Sequence, residues 1–146
     1  MDISSSLIDE LARRARTVSR CANAPYSNFP VGAAVLTADG AVHTGANVEN
    51  AAYGLAICAE RSAISQAIAQ GATRISAVAI YTPTAAATPP CGACRQVMAE
   101  FGTDVLVICC CDDASAQRRY RLTELLPVPF GPGRLGSSAA AAAAQD

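Results

Sequence analysis

Two short stretches carry the residues best suited to chemistry: Cys58-Ala59-Glu60 and Pro90-Cys91-Gly92-Ala93-Cys94. Deprotonated, Cys58, Cys91 and Cys94 are three soft ligands for one Zn²⁺. A tetrahedral ion held by three protein groups keeps a fourth position for water. A structural zinc site closes that position with another side chain, and no nearby Cys or His supplies one convincingly. Glu60, two residues past the first cysteine, is placed to move protons between that water and a substrate. The chemistry implied is hydrolysis, with the ion as cofactor and the carboxylate as acid and base. A lone Cys-x-x-Cys also occurs in redox motifs and zinc knuckles, but a thioredoxin-like reading leaves Cys58 and Glu60 unused.

For these groups to meet, the chain must bring two helix starts together. Apolar spacing predicts a helix over Ile57–Gln70, stopped by Gly71, with Cys58 in its first turn. A second runs over Cys91–Phe101. A helix N-terminus favours a thiolate through its dipole and unpaired N–H groups. The 32 residues between Cys58 and Cys91 suit the rest of one helix, a buried strand over Ile75–Tyr81 and a loop over Thr82–Pro90. Upstream, Leu7, Ile8, Leu11, Ala15 and Val18 give helical spacing over Ser4–Arg20, with the arginines mostly on the solvated side. Strands over Val31–Thr37 and Ala41–Val48 flank the turn residues Asp39-Gly40. Period-two alternation puts Asn47 and Glu49 on one face, where they either grip vicinal hydroxyls or form an ordinary polar loop. Downstream come a strand over Val105–Cys111, a basic edge strand over Arg118–Arg121 and a helical turn over Leu122–Pro127. Cys109, Cys110 and Cys111 alternate faces along their strand and read as small buried hydrophobes. His43 is expected at the surface or beside a turn.

Composition bounds the rest. A chain of 146 residues, 51% of them hydrophobic and many of those Ala, reads as one globular domain over 1–130 with close-packed layers. The Gly-, Ser- and Ala-rich segment 131–146 reads as a low-complexity tail. A net charge of −1 gives no pull toward nucleic acid. Seven cysteines, an odd number with no signal-like leader ahead of the first helix, predict a reducing, cytoplasmic setting. No apolar run reaches the length of a membrane span.

Four blocks in order carry a resemblance: Tyr26-Ser27-Asn28-Phe29-Pro30-Val31-Gly32-Ala33-Ala34, Asn47-Val48-Glu49-Asn50-Ala51-Ala52-Tyr53, Ile57-Cys58-Ala59-Glu60-Arg61 and Pro90-Cys91-Gly92-Ala93-Cys94-Arg95-Gln96. From about Pro25 to Phe130 the chain resembles the small, homotetrameric, zinc-dependent cytidine deaminases. The resemblance implies that Cys58, Cys91 and Cys94 hold one zinc per subunit and that Glu60 shuttles protons. It also implies that Asn47 and Glu49 bind the ribose, Phe29 packs on the nucleoside, and the Ala59 backbone meets the pyrimidine edge. Arg61 matches a position that hydrogen-bonds the ligand sulfurs, offsetting the net −1 charge of a tris-thiolate zinc centre. Ala51, Tyr53 and Phe130 match positions presented to a neighbouring subunit's site. The implied reaction is hydrolysis of cytidine and 2′-deoxycytidine to the uridine products and ammonia, a step of pyrimidine salvage. Gly54, Ala52 and Ala56 depart from the family's frequent Pro, Cys and Gly, which bears on loop stiffness and subunit contacts.

Three rival readings define what must be told apart. A deaminase of a cytosine-containing antibiotic of the blasticidin S type shares the chemistry but not the ribose-binding block. A nucleic-acid editing deaminase needs interleaved arginines and aromatics for a stacking groove. A noncatalytic zinc module needs no cavity at the metal. The expected fold is α/β: a three-layer α/β/α sandwich on a mixed sheet of about five strands. It opens with an antiparallel hairpin and continues with strands running parallel through the two cysteine-bearing helices.

Overall fold

The computed structural model describes residues 3–135. The chain starts with α1 (Ser5–Val18), capped by the Ser4 hydroxyl, which accepts the Leu7 amide. Its apolar stripe, Ile8, Leu11 and Ala15, is buried on the sheet. A 3₁₀ turn over Ser19–Cys21 ends the helix and releases the chain toward β1 (Gly32–Thr37) and β2 (Val42–Ala46). Gly40, at φ 90°, makes the turn between these strands. Then follow α2 (Ala59–Ala69), β3 (Ile75–Tyr81), α3 (Gly92–Phe101), β4 (Leu106–Cys110), β5 (Arg118–Arg121) and α4 (Leu122–Leu125).

The five strands lie in the order β2-β1-β3-β4-β5. β1 is antiparallel to both β2 and β3, so β2 and β3 point the same way, and β3 pairs with β4 in parallel. The crossovers β2-α2-β3 and β3-α3-β4 are therefore the parallel run through the cysteine-bearing helices, with the hairpin on one side and antiparallel β5 on the other. Alternation along the strands builds two cores. Ala33, Val35, Val78, Ile80, Val107 and Cys109 meet α2 and α3, whereas Ala34, Leu36, Ala77, Ala79, Tyr81, Ile108 and Cys110 meet α1. Three layers result, and Cys109, Cys110 and Cys111 are buried as expected.

Small residues set how close those layers come. A Cβ on Gly45 would stand 2.8 Å from the Ala59 carbonyl oxygen and nearer still to the Ala63 amide nitrogen. The backbone of α2 thus rests directly on β2. Gly71, at φ 94°, lets the chain leave α2 in the left-handed conformation.

The starts of both cysteine-bearing helices differ from the sequence expectation. α2 begins at Ala59, so Cys58 is its N-cap and not part of its first turn. Ile57 exchanges backbone hydrogen bonds of 2.9 Å with Val48, and that bridge keeps it extended. Cys91 likewise caps α3 and does not open it. The segment 131–135 carries a 3₁₀ turn over Pro132–Arg134, and the low-complexity remainder of the tail lies outside the described residues. Among the described residues, no helix is long and apolar enough to cross a membrane.

Candidate active site

The starts of α2 and α3 bring the two cysteine stretches together. Cys58 and Cys91 are N-caps with extended backbones, and neither side chain makes a capping bond, which leaves both sulfurs available. Cys94 lies one turn into α3 and is fully buried. The three Sγ atoms lie within 4.8 Å of one another, with Cys58 and Cys91 4.0 Å apart. Zn–S bonds of about 2.3 Å at tetrahedral angles require sulfurs ~3.8 Å apart, so the donor set fits zinc in spacing as well as softness. The cysteines are free thiols, not disulfides.

Charge points the same way. A hydrogen bond from Cys94 and contacts from Arg61 and Cys91 lower the Cys58 thiol to about 5. Cys94, donating to Cys58 and buried, is raised. Arg61 Nη2 stands 3.8 Å from Cys58 Sγ and donates to the Ala56 carbonyl at 3.1 Å. Its buried Nε finds no acceptor among the described residues, so the negative sulfurs help hold the guanidinium. Glu60, in the first turn of α2, is 5% exposed, and burial together with the Cys58 thiolate raises its carboxyl.

These groups stand at a cavity of about 490 Å³. Cys58, Ala59, Glu60 and Cys91 line it along with Phe29, Asn47 and Glu49. Asn47 and Glu49 combine the two roles left open above, because both line the cavity and both hold a loop. Asn47 accepts the Val31 amide at 2.8 Å and donates to the Phe29 carbonyl at 2.9 Å. Glu49 Oε2 accepts the Tyr26 and Ser27 amides at 2.8 and 3.2 Å, whereas Oε1 has no partner among the described residues. One amide hydrogen of Asn47 and one carboxylate oxygen of Glu49 remain for a ligand.

A family model for the cytidine and deoxycytidylate deaminase zinc-binding region matches residues 5–110. The chain belongs to that deaminase family. Membership makes it a zinc-dependent hydrolase, and the three-sulfur cluster is a set of ligands able to hold such an ion. A cytidine deaminase from Mycobacterium tuberculosis is 45% identical over 107 residues, 73% of this chain and 77% of that protein. One from Halalkalibacterium halodurans is 56% identical over 77 residues, spanning 53% of this chain but only 58% of that protein's length. The crystal structure of a cytidine deaminase from Burkholderia pseudomallei superposes with a TM-score of 0.81 at 41% identity, covering 88% of this chain and all of that one (100%). The deaminase fold expected from the sequence is the fold found.

Three expected residues of this deaminase do not reach the cavity of the single chain. Ala51 is exposed beside the 3₁₀ turn over Tyr53–Leu55, and Tyr53 and Phe130 are 76% and 59% exposed. Tyr53 packs edge-on against Tyr26 with ring centroids 5.8 Å apart, and Gln96 holds the Phe130 backbone through bonds of 2.7 and 3.1 Å. Sequence reasoning missed Ser27, Thr82, Thr88 and Pro89, which also line the cavity. The available signal was positional: Thr82 follows the carboxyl end of β3, where open α/β sheets receive ligands.

Proposed function

We propose that this deaminase hydrolyses the free nucleosides cytidine and 2′-deoxycytidine to uridine and 2′-deoxyuridine with release of ammonia, as a step of pyrimidine salvage in the cytoplasm. One observation carries the reading: of three sulfurs spaced for zinc, those of Cys58 and Cys91 belong to residues lining a cavity that they share with a buried carboxyl, Glu60, and with the sugar-suited pair Asn47 and Glu49. Cys58, Cys91 and Cys94 would hold zinc, which would supply the Lewis acidity that brings the pKa of water toward neutrality. Glu60 accepts the proton that water loses and delivers it to ring N3, which makes C4 electrophilic. The deprotonated water oxygen adds to C4. Glu60 then takes the remaining proton from that oxygen and passes it to the amine, so that the C4–N bond breaks as C4=O forms and ammonia leaves. Burial raises the Glu60 carboxyl, which suits a group that both takes and gives protons. Phe29 flanks the ring, the Ala59 backbone meets the pyrimidine edge, and Arg61 balances the excess negative charge of the sulfurs.

The lining also bears on the family's two substrate classes. No Lys or Arg lines the cavity among the described residues, and Glu49 adds a negative charge. A 5′-phosphate would enter without a counter-ion, so the nucleoside is favoured over the nucleotide. Tyr53, Phe130, Leu55 and Val128 lie exposed. They support assembly as a homotetramer in which Ala51, Tyr53 and Phe130 complete a neighbour's site.

The test is a panel of cytidine, 2′-deoxycytidine, deoxycytidylate, cytosine and blasticidin S on zinc-quantified protein. Loss of the cytidine absorbance with matching ammonia release is expected for the two nucleosides. Preference for deoxycytidylate or blasticidin S would overturn the substrate reading.

A further inference from the structure

We propose that Thr82 is a specificity-determining residue of this site, its hydroxyl accepting a hydrogen from the exocyclic amine of the substrate and turning away a carbonyl at the same place. The proposal rests on the nucleoside reading above and deepens it. Gly32 of β1 pairs with Ala46 of β2 on one side and with Tyr81 of β3 on the other. One step further, Asn47, Val31 and Thr82 therefore stand in a row across the three strands, and the Asn47 amide donates to the Val31 carbonyl at 3.2 Å. All three line the cavity. Strand alternation sends Tyr81 to the α1 side of the sheet, and Ile80 and Thr82 to the side of α2 and α3, where the cysteines are. Two strand spacings, about 9–10 Å, separate Asn47 from Thr82. That is the scale of a nucleoside from its sugar hydroxyls to its exocyclic amine. With the sugar at Asn47 and Glu49, the Thr82 end of the row is the base end.

The partners of the hydroxyls decide where their hydrogens go. Thr84 Oγ1 lies 2.6 Å from the Ala86 carbonyl oxygen, which can only accept, and 3.5 Å from Thr88 Oγ1. Thr84 therefore gives its one hydrogen to Ala86. At 2.8 Å from Thr82 Oγ1 it must be the acceptor, and Thr82 the donor. Thr82 is buried, and its Oγ1 has no other partner among the described residues. A hydroxyl whose hydrogen is already engaged offers a ligand lone pairs alone. The exocyclic amine of cytidine is a donor, its own lone pair being drawn into the ring, whereas O4 of uridine is an acceptor. Thr82 thus separates substrate from product at the exocyclic position, attracting the one and opposing the other.

The experiment measures kcat/KM for cytidine and the competitive inhibition constant of uridine on zinc-quantified wild type, Thr82→Val, Thr82→Ser and Thr84→Val. Thr82→Val keeps the side-chain shape and removes the lone pairs. Its kcat/KM for cytidine should fall roughly three- to tenfold, the scale of one neutral hydrogen bond, while uridine binds about threefold more tightly. Disturbed packing alone would weaken both nucleosides, so the opposite signs identify the hydroxyl. Thr82→Ser should restore both constants to within about twofold of wild type. Thr84→Val removes the acceptor that holds the Thr82 hydrogen, which then turns to O4, so uridine inhibition should tighten here too. Both nucleosides weakened together, neither moved, or a serine variant behaving like valine overturns the proposal. If Thr82→Val does not fold, Thr84→Val decides, and uridine inhibition unmoved or weakened in it overturns the proposal. Wild-type protein inert toward cytidine overturns the functional reading and this proposal together, whereas active wild type with an indifferent Thr82→Val overturns this proposal alone.

Discussion

Gly45→Ala tests how the fold delivers the chemistry, although Gly45 touches no proposed substrate atom. The new methyl would lie 2.8 Å from the Ala59 carbonyl oxygen and 2.9 Å from the Ala63 Cα. The Ala63 amide nitrogen is nearer still, and comfortable contact needs about 3.5 Å, so α2 must retreat by about 1 Å or β2 must give way. All three neighbouring atoms are backbone, so no rotamer change relieves the clash. Overpacking of this kind costs about 1–3 kcal/mol. For a domain of this size that is roughly 3–10 °C in Tm, readable by calorimetry. The catalytic loss should be larger than the stability loss suggests. α2 carries the Cys58 cap and Glu60, and a misplacement near 1 Å at a reacting group costs up to ~10²-fold in rate. A zinc-loaded Gly45→Ala protein is expected to keep its fold and lose about 10- to 100-fold in kcat on cytidine. Wild-type Tm with wild-type kcat would refute the direct seating of α2 on β2.

Removal of the Arg61 guanidinium should raise the Cys58 thiol above its value of about 5, because the side-chain hydrogen bond and charge of Arg61 both lower it. Thiolate absorbance of metal-free Arg61→Ala across pH reads this, zinc should be largely retained, and activity should fall; an unmoved titration with unchanged kinetics counts against the charge-balancing role. Glu49 has a folded-state pKa below its unfolded value, held there by Ser27 and the Tyr26 and Ser27 amides. Its contribution is therefore fully present above the usual carboxylate range and lost as pH falls through the depressed value. Amide exchange at Tyr26 and Ser27 should accelerate in that acid window in wild type but show no such step in Glu49→Gln. Chelation of the zinc should abolish turnover, with recovery proportional to zinc restored; full activity in metal-free protein would exclude the cysteine cluster from the reaction.

The chemistry was more legible in the sequence than its scaffolding. The convergence of Cys58, Cys91 and Cys94, and the place of Glu60 beside them, could be anticipated because liganding and proton transfer demand particular residue types at short spacing. Ile75–Tyr81 and Arg118–Arg121 could be read as strands because their apolar run and charged edge are local signals. What could not be read depends on distant partners. The Val48–Ile57 bridge delays α2 by pairing residues nine apart, a contact with no periodic signature. The loop-pinning roles of Asn47 and Glu49 span 16 to 23 residues, so spacing alone left a sugar grip and a polar loop indistinguishable. Gly45 reads in sequence as a weak point in a strand, and only the packed α2 backbone shows why a side chain is excluded. Ala51, Tyr53 and Phe130 came from resemblance, and one chain alone leaves them outside its own cavity.

The division of labour between the sulfur cluster and Glu60 is tested most directly by measuring zinc content and cytidine turnover on the same preparation of Glu60→Gln. The expected result is one zinc per chain, as in wild type, with kcat reduced by ~10²-fold or more because the proton carrier is gone. Near-normal turnover in zinc-replete Glu60→Gln would contradict that division.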